Sequence, residues 1–213
     1  HMRVAVIGGL NVDIIATSRT AMLPGDSNPG HVRTTLGGVG RNIAENLVRL
    51  GCETSLVTAV GLDDHGRRAR ESCEGLGIRM DHAWQLAGER TGAYICLNDE
   101  DGDLYAAVAD MELYDRLTPE RLAPLLPWLN GQDAVVMDAN LPEASLTWLA
   151  REVRVPLAAD PVSVKKAGRL RNALPRLAMI KPNRPEAERL ADLEAEVAGR
   201  VSAAMKNEPA IKE

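Results

Sequence analysis

Five short apolar runs punctuate the chain, and helical stretches with one apolar face separate them; no other feature constrains the fold as strongly. "RVAVIGG" (3 to 9) reads as a buried strand ending in glycine, and "TSLVTAV" (54 to 60), "DAVVMD" (133 to 138), "VPLAAD" (155 to 160) and "LAMI" (177 to 180) share its character. Apolar runs without polar alternation imply burial on both faces, the habit of parallel strands. The intervening helices supply the cover. Between the first two strands, Ile43, Ala44, Leu47, Val48 and Leu50 fall on one helical face, Arg41, Glu45, Asn46 and Arg49 on the other, and Gly51 closes the helix. The expected fold is therefore a doubly wound α/β domain, a parallel sheet flanked by helices on each side.

The 213 residues, 45% hydrophobic, suffice for the core of one globular domain. A net charge of -5, with the basic residues scattered, argues against a nucleic-acid surface, which needs clustered Lys and Arg. Cys52, Cys73 and Cys96 are odd in number and lack Cys-x-x-Cys spacing, which suits reduced thiols in the cytoplasm. No apolar run approaches the roughly 18 to 20 residues of a membrane span, and no signal peptide precedes the first strand. His1-Met2 reads as a cloning remnant. No membrane or nucleic-acid partner is expected.

Two stretches interrupt the alternation. "NPGHVRTTL" (28 to 36) and "TGAYICLNDEDGDLYAAVADM" (91 to 111) have the pattern of antiparallel β-structure, the second a hairpin with "NDEDGD" at its tip. Ligands of such α/β sheets bind beyond the carboxyl ends of the strands. A β-lid over a site, built from about residues 12–36 and 88–111, is the economical reading; a decorative insertion is the alternative.

"LGGVGRN" (36 to 42) places three glycines before a helix, yet it fits neither common phosphate motif. Arg41 and Asn42 follow Gly40 where the Walker pattern needs Lys and Ser/Thr, and Ile43 stands where the dinucleotide pattern needs a third glycine. Polar residues collect near the ends of apolar strands: Asn11 and Asp13 after "VIGG", Asp138 and Asn140 after the third run, Asp160 after the fourth. Carboxylates and amides suit a polyhydroxyl ligand, since each hydroxyl both donates and accepts. Each residue alone would equally serve as a cap or a turn.

"GGLNVDI" (8 to 14), "GGVGRNIAENLVRLG" (37 to 51), "AVGLDDHG" (59 to 66), "RTGAYICLNDEDGD" (90 to 103), "DANLP" (138 to 142) and "IKPNRPEAE" (180 to 188) together resemble the PfkB, or ribokinase-like, sugar kinases over residues 3–190. "DSNPGHVRTTLGGVGRN", "DANLP" and "DPVSVKKA" resemble most those members that phosphorylate the 5'-hydroxyl of the C-nucleoside pseudouridine with ATP and magnesium. The resemblance implies that the glycine turn, Gly37 and Gly38, lets backbone approach the sugar, that Asn42 and Asp13 anchor ribose hydroxyls, and that Asn11 and Asn140 join them. It implies a magnesium and phosphate network of Asp160, Asn183 and Glu186 acting through water, with a monovalent cation as a further ligand. Glu186 also has the position of a first-turn helix carboxylate. Asn140 replaces a glutamate, and Val39 a lysine, of many ribokinases; both departures weaken a free-ribose assignment, and an apolar Val39 with the "SNPG" stretch suits a ligand that carries a base, another PfkB sugar kinase of the ribokinase or fructokinase type being the alternative.

The family's Gly-Ala-Gly-Asp segment, which carries the catalytic aspartate beside an anion-binding helix N-terminus, has no counterpart here. The only Gly-Asp pairs, Gly25-Asp26 and Gly102-Asp103, fall in the lid. The C-terminal part of the fold is thus expected to be missing. The 213 residues alone are expected to be inactive, as part of a longer kinase, a truncation that binds without transfer, or a diverged sugar-binding regulator. Leu190, Leu193, Val197 and Val201 predict one helix from Glu186 to about Met205, with "KNEPAIKE" as a polar tail, so that residues 191–213 stand apart from the 3–190 domain. The uncovered β-face of the lid predicts a homodimer.

Overall fold

The structure, a computed structural model, describes the backbone of residues 1–206 and the side chains of residues 1–196. In chain order, β1 (Arg3–Ile7) is followed by β2 (Asn11–Ser18), β3 (Gly30–Gly37), α1 (Val39–Arg49), β4 (Glu53–Val57), β5 (Ala59–Gly61) and α2 (Asp64–Gly75). Next come β6 (Trp84–Leu86), β7 (Ala93–Asn98) and β8 (Leu104–Asp110), a 3-10 turn at Glu112–Arg116, and the short helices α3 (Pro119–Leu122) and α4 (Leu126–Leu129). β9 (Ala134–Asp138), α5 (Glu143–Glu152), β10 (Leu157–Asp160), α6 (Val164–Ala167), β11 (Met179–Ile180) and α7 (Arg184–Lys206) complete the chain as described.

β11, β10, β9, β1 and β4 form one parallel sheet in that order. The chain moves from β1 to β4 on one side and returns to β9 on the other, so the direction of winding reverses between β1 and β9. A crevice at the carboxyl ends is the consequence of such a reversal. Residues of β1 alternate between two cores. Val4 and Val6 join Leu56, Ala44, Ala69, Cys73 and Ile78 beneath α1 and α2. Ala5 and Ile7 join Val57, Val135, Met137, Leu146 and Leu149 on the α5 side. Double-sided burial explains the unbroken apolar runs of the sequence.

The expected strand over 54–60 is two elements. β4 ends at Val57 because its partner β1 ends at Ile7; the carbonyl of Thr58 accepts from Trp84 N at 2.9 Å, and β5 pairs with β6 in a separate two-stranded sheet. Leu50, expected on the apolar face, lies beyond the last helical residue and is 80% exposed. Gly51 does close the helix, at φ 84°. Leu190 and Leu193 are buried in α7 against Ala167, as their spacing predicts; the side chains of Val197 and Val201, and the polar tail from Asn207, lie outside the described residues.

The lid is a four-stranded sheet, β3-β2-β7-β8. Its two outer pairings are antiparallel, with the hairpin tip between β7 and β8 where "NDEDGD" predicts it. The central pairing of β2 with β7 is parallel, which the sequence reading does not anticipate. Both strands leave the same end of the body: β2 follows the Gly8-Gly9 turn at the end of β1, and β7 follows Thr91, whose hydroxyl accepts from Gly61 N at the end of β5. Strands leaving one edge in one direction pair in parallel. Asn11 and Asp13, expected at the end of the first strand, belong to β2 and so to the lid itself.

Candidate functional site

The glycine turn is built around another strand-end turn. Gly38 has φ 99° and lies against the Gly9 carbonyl, so a Cβ there would both strain the backbone and strike that oxygen. A Cβ on Gly40 would come within 2.9 Å of the Gly8 backbone. The glycines therefore have a reason to be there that requires no sugar: the start of α1 packs directly on the end of β1.

Asp138, at the end of β9, fastens that contact. Its Oδ2 accepts from Gly9 N and from Gly40 N, each at 2.8 Å, and its Oδ1 accepts from Asn140 N at 2.9 Å. Gly38 caps α1 without any side-chain hydrogen bond, and Asp138 supplies the missing acceptor from across the sheet. Complete burial pushes the Asp138 carboxyl above its ordinary range, while the backbone N–H groups of Gly9, Asn140 and Gly40 and the Asn140 side-chain amide pull it down. Tyr114 makes a second fastening beside it, its hydroxyl donating to Leu10 O and accepting from Leu10 N.

On the lid side, Asn11 Nδ2 donates to Asp13 Oδ1 at 2.7 Å. Asn11 pairs with Gly37 in the β2–β3 register, and a Cβ on Gly37 would strike the Asp13 carboxylate. Gly37 thus makes the space in which this carboxylate stands. Burial raises the Asp13 pKa, and the Asn11 amide opposes that.

A cleft of about 340 Å³ runs between α1 and the ends of β10 and β11, lined by Val39, Asn42, Ile43, Leu47, Asp160 and Lys181. Asn42 and Asp160, far apart in sequence, share it. Asn42 is exposed, and its Oδ1 accepts from the neighbouring Arg41 at 3.1 Å. Asp160 Oδ1 accepts from Val162 N at 2.8 Å, and Val162 has φ 66°, in the left-handed region that a β-branched residue rarely occupies. Such strain persists only where its surroundings enforce it and concentrates at functional sites. Asn140, buried, has its Oδ1 on the Lys166 ammonium at 2.7 Å, and its backbone carbonyl accepts from Arg169.

Asn183 and Glu186 form a reciprocal helix cap. Asn183 Oδ1 accepts from Glu186 N at 2.9 Å, and Glu186 Oε1 accepts from Asn183 N at 3.2 Å. This local role at the start of α7 accounts for one carboxylate oxygen and for the amide oxygen. The other oxygen, Glu186 Oε2, is buried without a partner. An orphaned acceptor of this kind suits a cation or its water. Among the described residues no hydrogen bond joins Asp160 to Asn183 or Glu186, and no cluster of three or more His, Cys, Asp or Glu could hold a metal directly. The residues fit magnesium held through water, not a cage of protein ligands.

The sequence matches the description "pfkB family carbohydrate kinase" over residues 2–212. The chain belongs to the PfkB family. It is 37% identical over 191 residues to the pseudouridine kinase of Escherichia coli, covering 89% of this chain and 61% of that one. A carbohydrate kinase from Agrobacterium tumefaciens superposes with a TM-score of 0.83 at 35% identity, over 89% of this chain and 63% of that structure. An Arabidopsis thaliana ribokinase complexed with ribose and ATP shares the fold, with a TM-score of 0.77 at 21% identity, over 93% of this chain and 68% of its own. The chain spans less than two thirds of the length of the first two relatives.

Against this PfkB fold, three residues stand out that sequence reasoning missed: Tyr114, Lys166 and Arg169. The only signal for Tyr114 is scarcity, one of three tyrosines in a chain without phenylalanine. Lys166 sits in the first turn after Ser163, whose hydroxyl accepts from Lys166 N. A Ser cap followed by two lysines reads as a solvated helix start, and nothing local points its ammonium at Asn140.

Proposed function

We propose that residues 3–190 are the substrate-binding portion, with its lid, of an ATP-dependent kinase that phosphorylates the 5'-hydroxyl of a nucleoside, pseudouridine being the substrate. The observation that carries this reading is the Asn11–Asp13 pair on β2, standing in the space left by Gly37 beside the reversal point of the sheet. A carboxylate and an amide so placed can bind adjacent ribose hydroxyls, the carboxylate accepting and the amide donating through the N–H not used on Asp13. Asn42 and Asn140 would extend the polar wall. Val39 and Ile43 supply an apolar surface that favours a ligand bearing a base over free ribose. Similarity to the Escherichia coli pseudouridine kinase supports the substrate, and the ribose and ATP bound by the Arabidopsis ribokinase support the class of acceptor and the phosphate donor.

Magnesium, when bound, neutralises charge on the transferring phosphates. In this chain Asp160, Asn183 and Glu186 would hold it through water, with Glu186 Oε2 the acceptor not yet used. The lid would exclude water during transfer. Its outward apolar face supports a homodimer, and the reduced cysteines a cytoplasmic protein.

A second reading, binding without transfer, is favoured for the 213 residues by one observation. Asp138, which its position at a strand end offers as a base, is fully buried with both oxygens engaged.

Calorimetry with pseudouridine, ribose and fructose tests the substrate. Pseudouridine is expected to bind tightest; fructose binding tightest would overturn the nucleoside reading and leave the family membership intact.

A further inference from the structure

Asn140 is held at each of its polar atoms, and only one N–H of its amide nitrogen is left over. Its N donates to Asp138 Oδ1 at 2.9 Å, its carbonyl accepts from Arg169 Nη1 at 3.3 Å, and its Oδ1 accepts from Lys166 Nζ at 2.7 Å. An ammonium has three donors and no acceptor, so the last contact decides which way the amide is turned: oxygen toward Lys166, nitrogen away. The nitrogen then lies over Gly9, where a Cβ would come within 2.7 Å of it, and beside the Asp138 carboxylate. Gly9 gives the amide nitrogen room to pack there; one N–H is shared with Asp138 and the second is the one available to a ligand, at the carboxyl end of β1 where the sheet reverses.

We propose that Lys166 is the positioning residue that fixes the Asn140 amide with its N–H toward the ligand, so that this position reads a hydrogen-bond acceptor. The inference rests on the nucleoside reading above and sharpens it. A carboxylate here could only accept, and would select the proton of a hydroxyl. The oriented amide donates, and selects an oxygen or nitrogen lone pair on the nucleoside. Lys166 is half-buried; burial and then Arg169 lower its pKa, and Asp138 and Asp115 oppose them only in part.

Pseudouridine binding by calorimetry on the 213-residue chain tests the proposal with Lys166→Met, Lys166→Arg, Asn140→Ala and the double variant Lys166→Met/Asn140→Ala. Lys166→Met keeps the aliphatic stem and is expected to weaken binding about 5- to 30-fold. Lys166→Arg, which can also donate to Oδ1, should restore most of it. In the Asn140→Ala background, Lys166→Met should have no further effect, because Lys166 acts through Asn140. Wild-type affinity in Lys166→Met, or losses that add in the double variant, would overturn the proposal.

A second readout needs no ligand. The Asn140 side-chain amide resonances, assigned by their loss in Asn140→Ala, should shift and exchange faster in Lys166→Met and return in Lys166→Arg. Unmoved resonances overturn the positioning role. If the wild type binds no nucleoside but the resonances behave as expected, the positioning of the amide stands and the nucleoside reading falls.

Discussion

The Tyr114 hydroxyl satisfies both backbone atoms of Leu10, donating to its carbonyl at 2.6 Å and accepting from its N–H at 2.8 Å across 104 residues of chain. Leu10 is the residue immediately before β2, so this pair anchors the root of the lid. Tyr114 is almost wholly buried, and desolvation raises its pKa beyond its ordinary range, which keeps the hydroxyl a donor. Tyr114→Phe would leave two buried polar groups without partners. The expected loss is about 2 to 4 kcal/mol of stability, read by urea unfolding, with faster hydrogen exchange in β2. A loss below about 1 kcal/mol would mean that water replaces the hydroxyl.

The Asp13 carboxylate carries a cost in stability. Burial raises its folded pKa above the ordinary 3.8, so the stability it contributes is complete below that value and is lost as pH rises through the folded pKa. At pH 7 the ionised group is therefore a net cost. Asp13→Asn should raise the melting temperature at pH 7 by about 1 to 3 °C, the gain fading on acidification below the ordinary value. The same variant should bind pseudouridine about tenfold or more weakly. A variant less stable at neutral pH, or one that binds as well as the wild type, contradicts this account.

Asp138 is a structural clasp and is expected to behave as one. Asp138→Asn removes one acceptor oxygen and leaves at least one of three buried N–H groups unsatisfied. A destabilisation of about 3 kcal/mol or more follows, measurable by denaturant titration. For the same reason Asp138 cannot take a proton from a substrate hydroxyl without releasing the turn. Protein of verified 23.0 kDa mass, mixed with pseudouridine, ATP and magnesium, should give no 5'-phosphate by phosphorus NMR. Robust turnover abolished by Asp160→Asn would show that Asp160 serves as the base.

The lid should join two copies of the chain. Residues directly paired across a sheet share a face, which puts Val32, Ala16, Leu97 and Ala106 on the same side as Ile14, Ile95 and Val108. Val32 and Val108 are 71% and 69% exposed. A contiguous apolar face of this kind marks an interaction surface. Analytical ultracentrifugation should find a dimer, and Val108→Glu a monomer. A monomeric wild type at high concentration would refute the interface.

How much was legible in the sequence depended on how local the cause was. Alternation of apolar runs and amphipathic helices foretold the parallel sheet, because double-sided burial and the helical period are written in consecutive residues. The β7–β8 hairpin and the first-turn helix position of Glu186 were readable for the same reason, whereas the reciprocal cap it makes with Asn183 was not read. The glycine turn announced a close approach, but not to what. That Gly40 meets the backbone of Gly8, and that its N–H finds Asp138 98 residues away, depends on which strands become neighbours.

The sequence by itself determined the sheet-forming segments, the lid hairpin and the stock of amides and carboxylates near the strand ends. Only the tertiary structure decided what each of them does: Asp138 is spent on backbone N–H groups, Asp13 stands in the space of Gly37, and Asn140 is turned by Lys166. Periodicity records which face of an element is buried, whereas a polar side chain takes its role from the partner within about 3 Å, and here the sheet order brings that partner from a distant part of the chain.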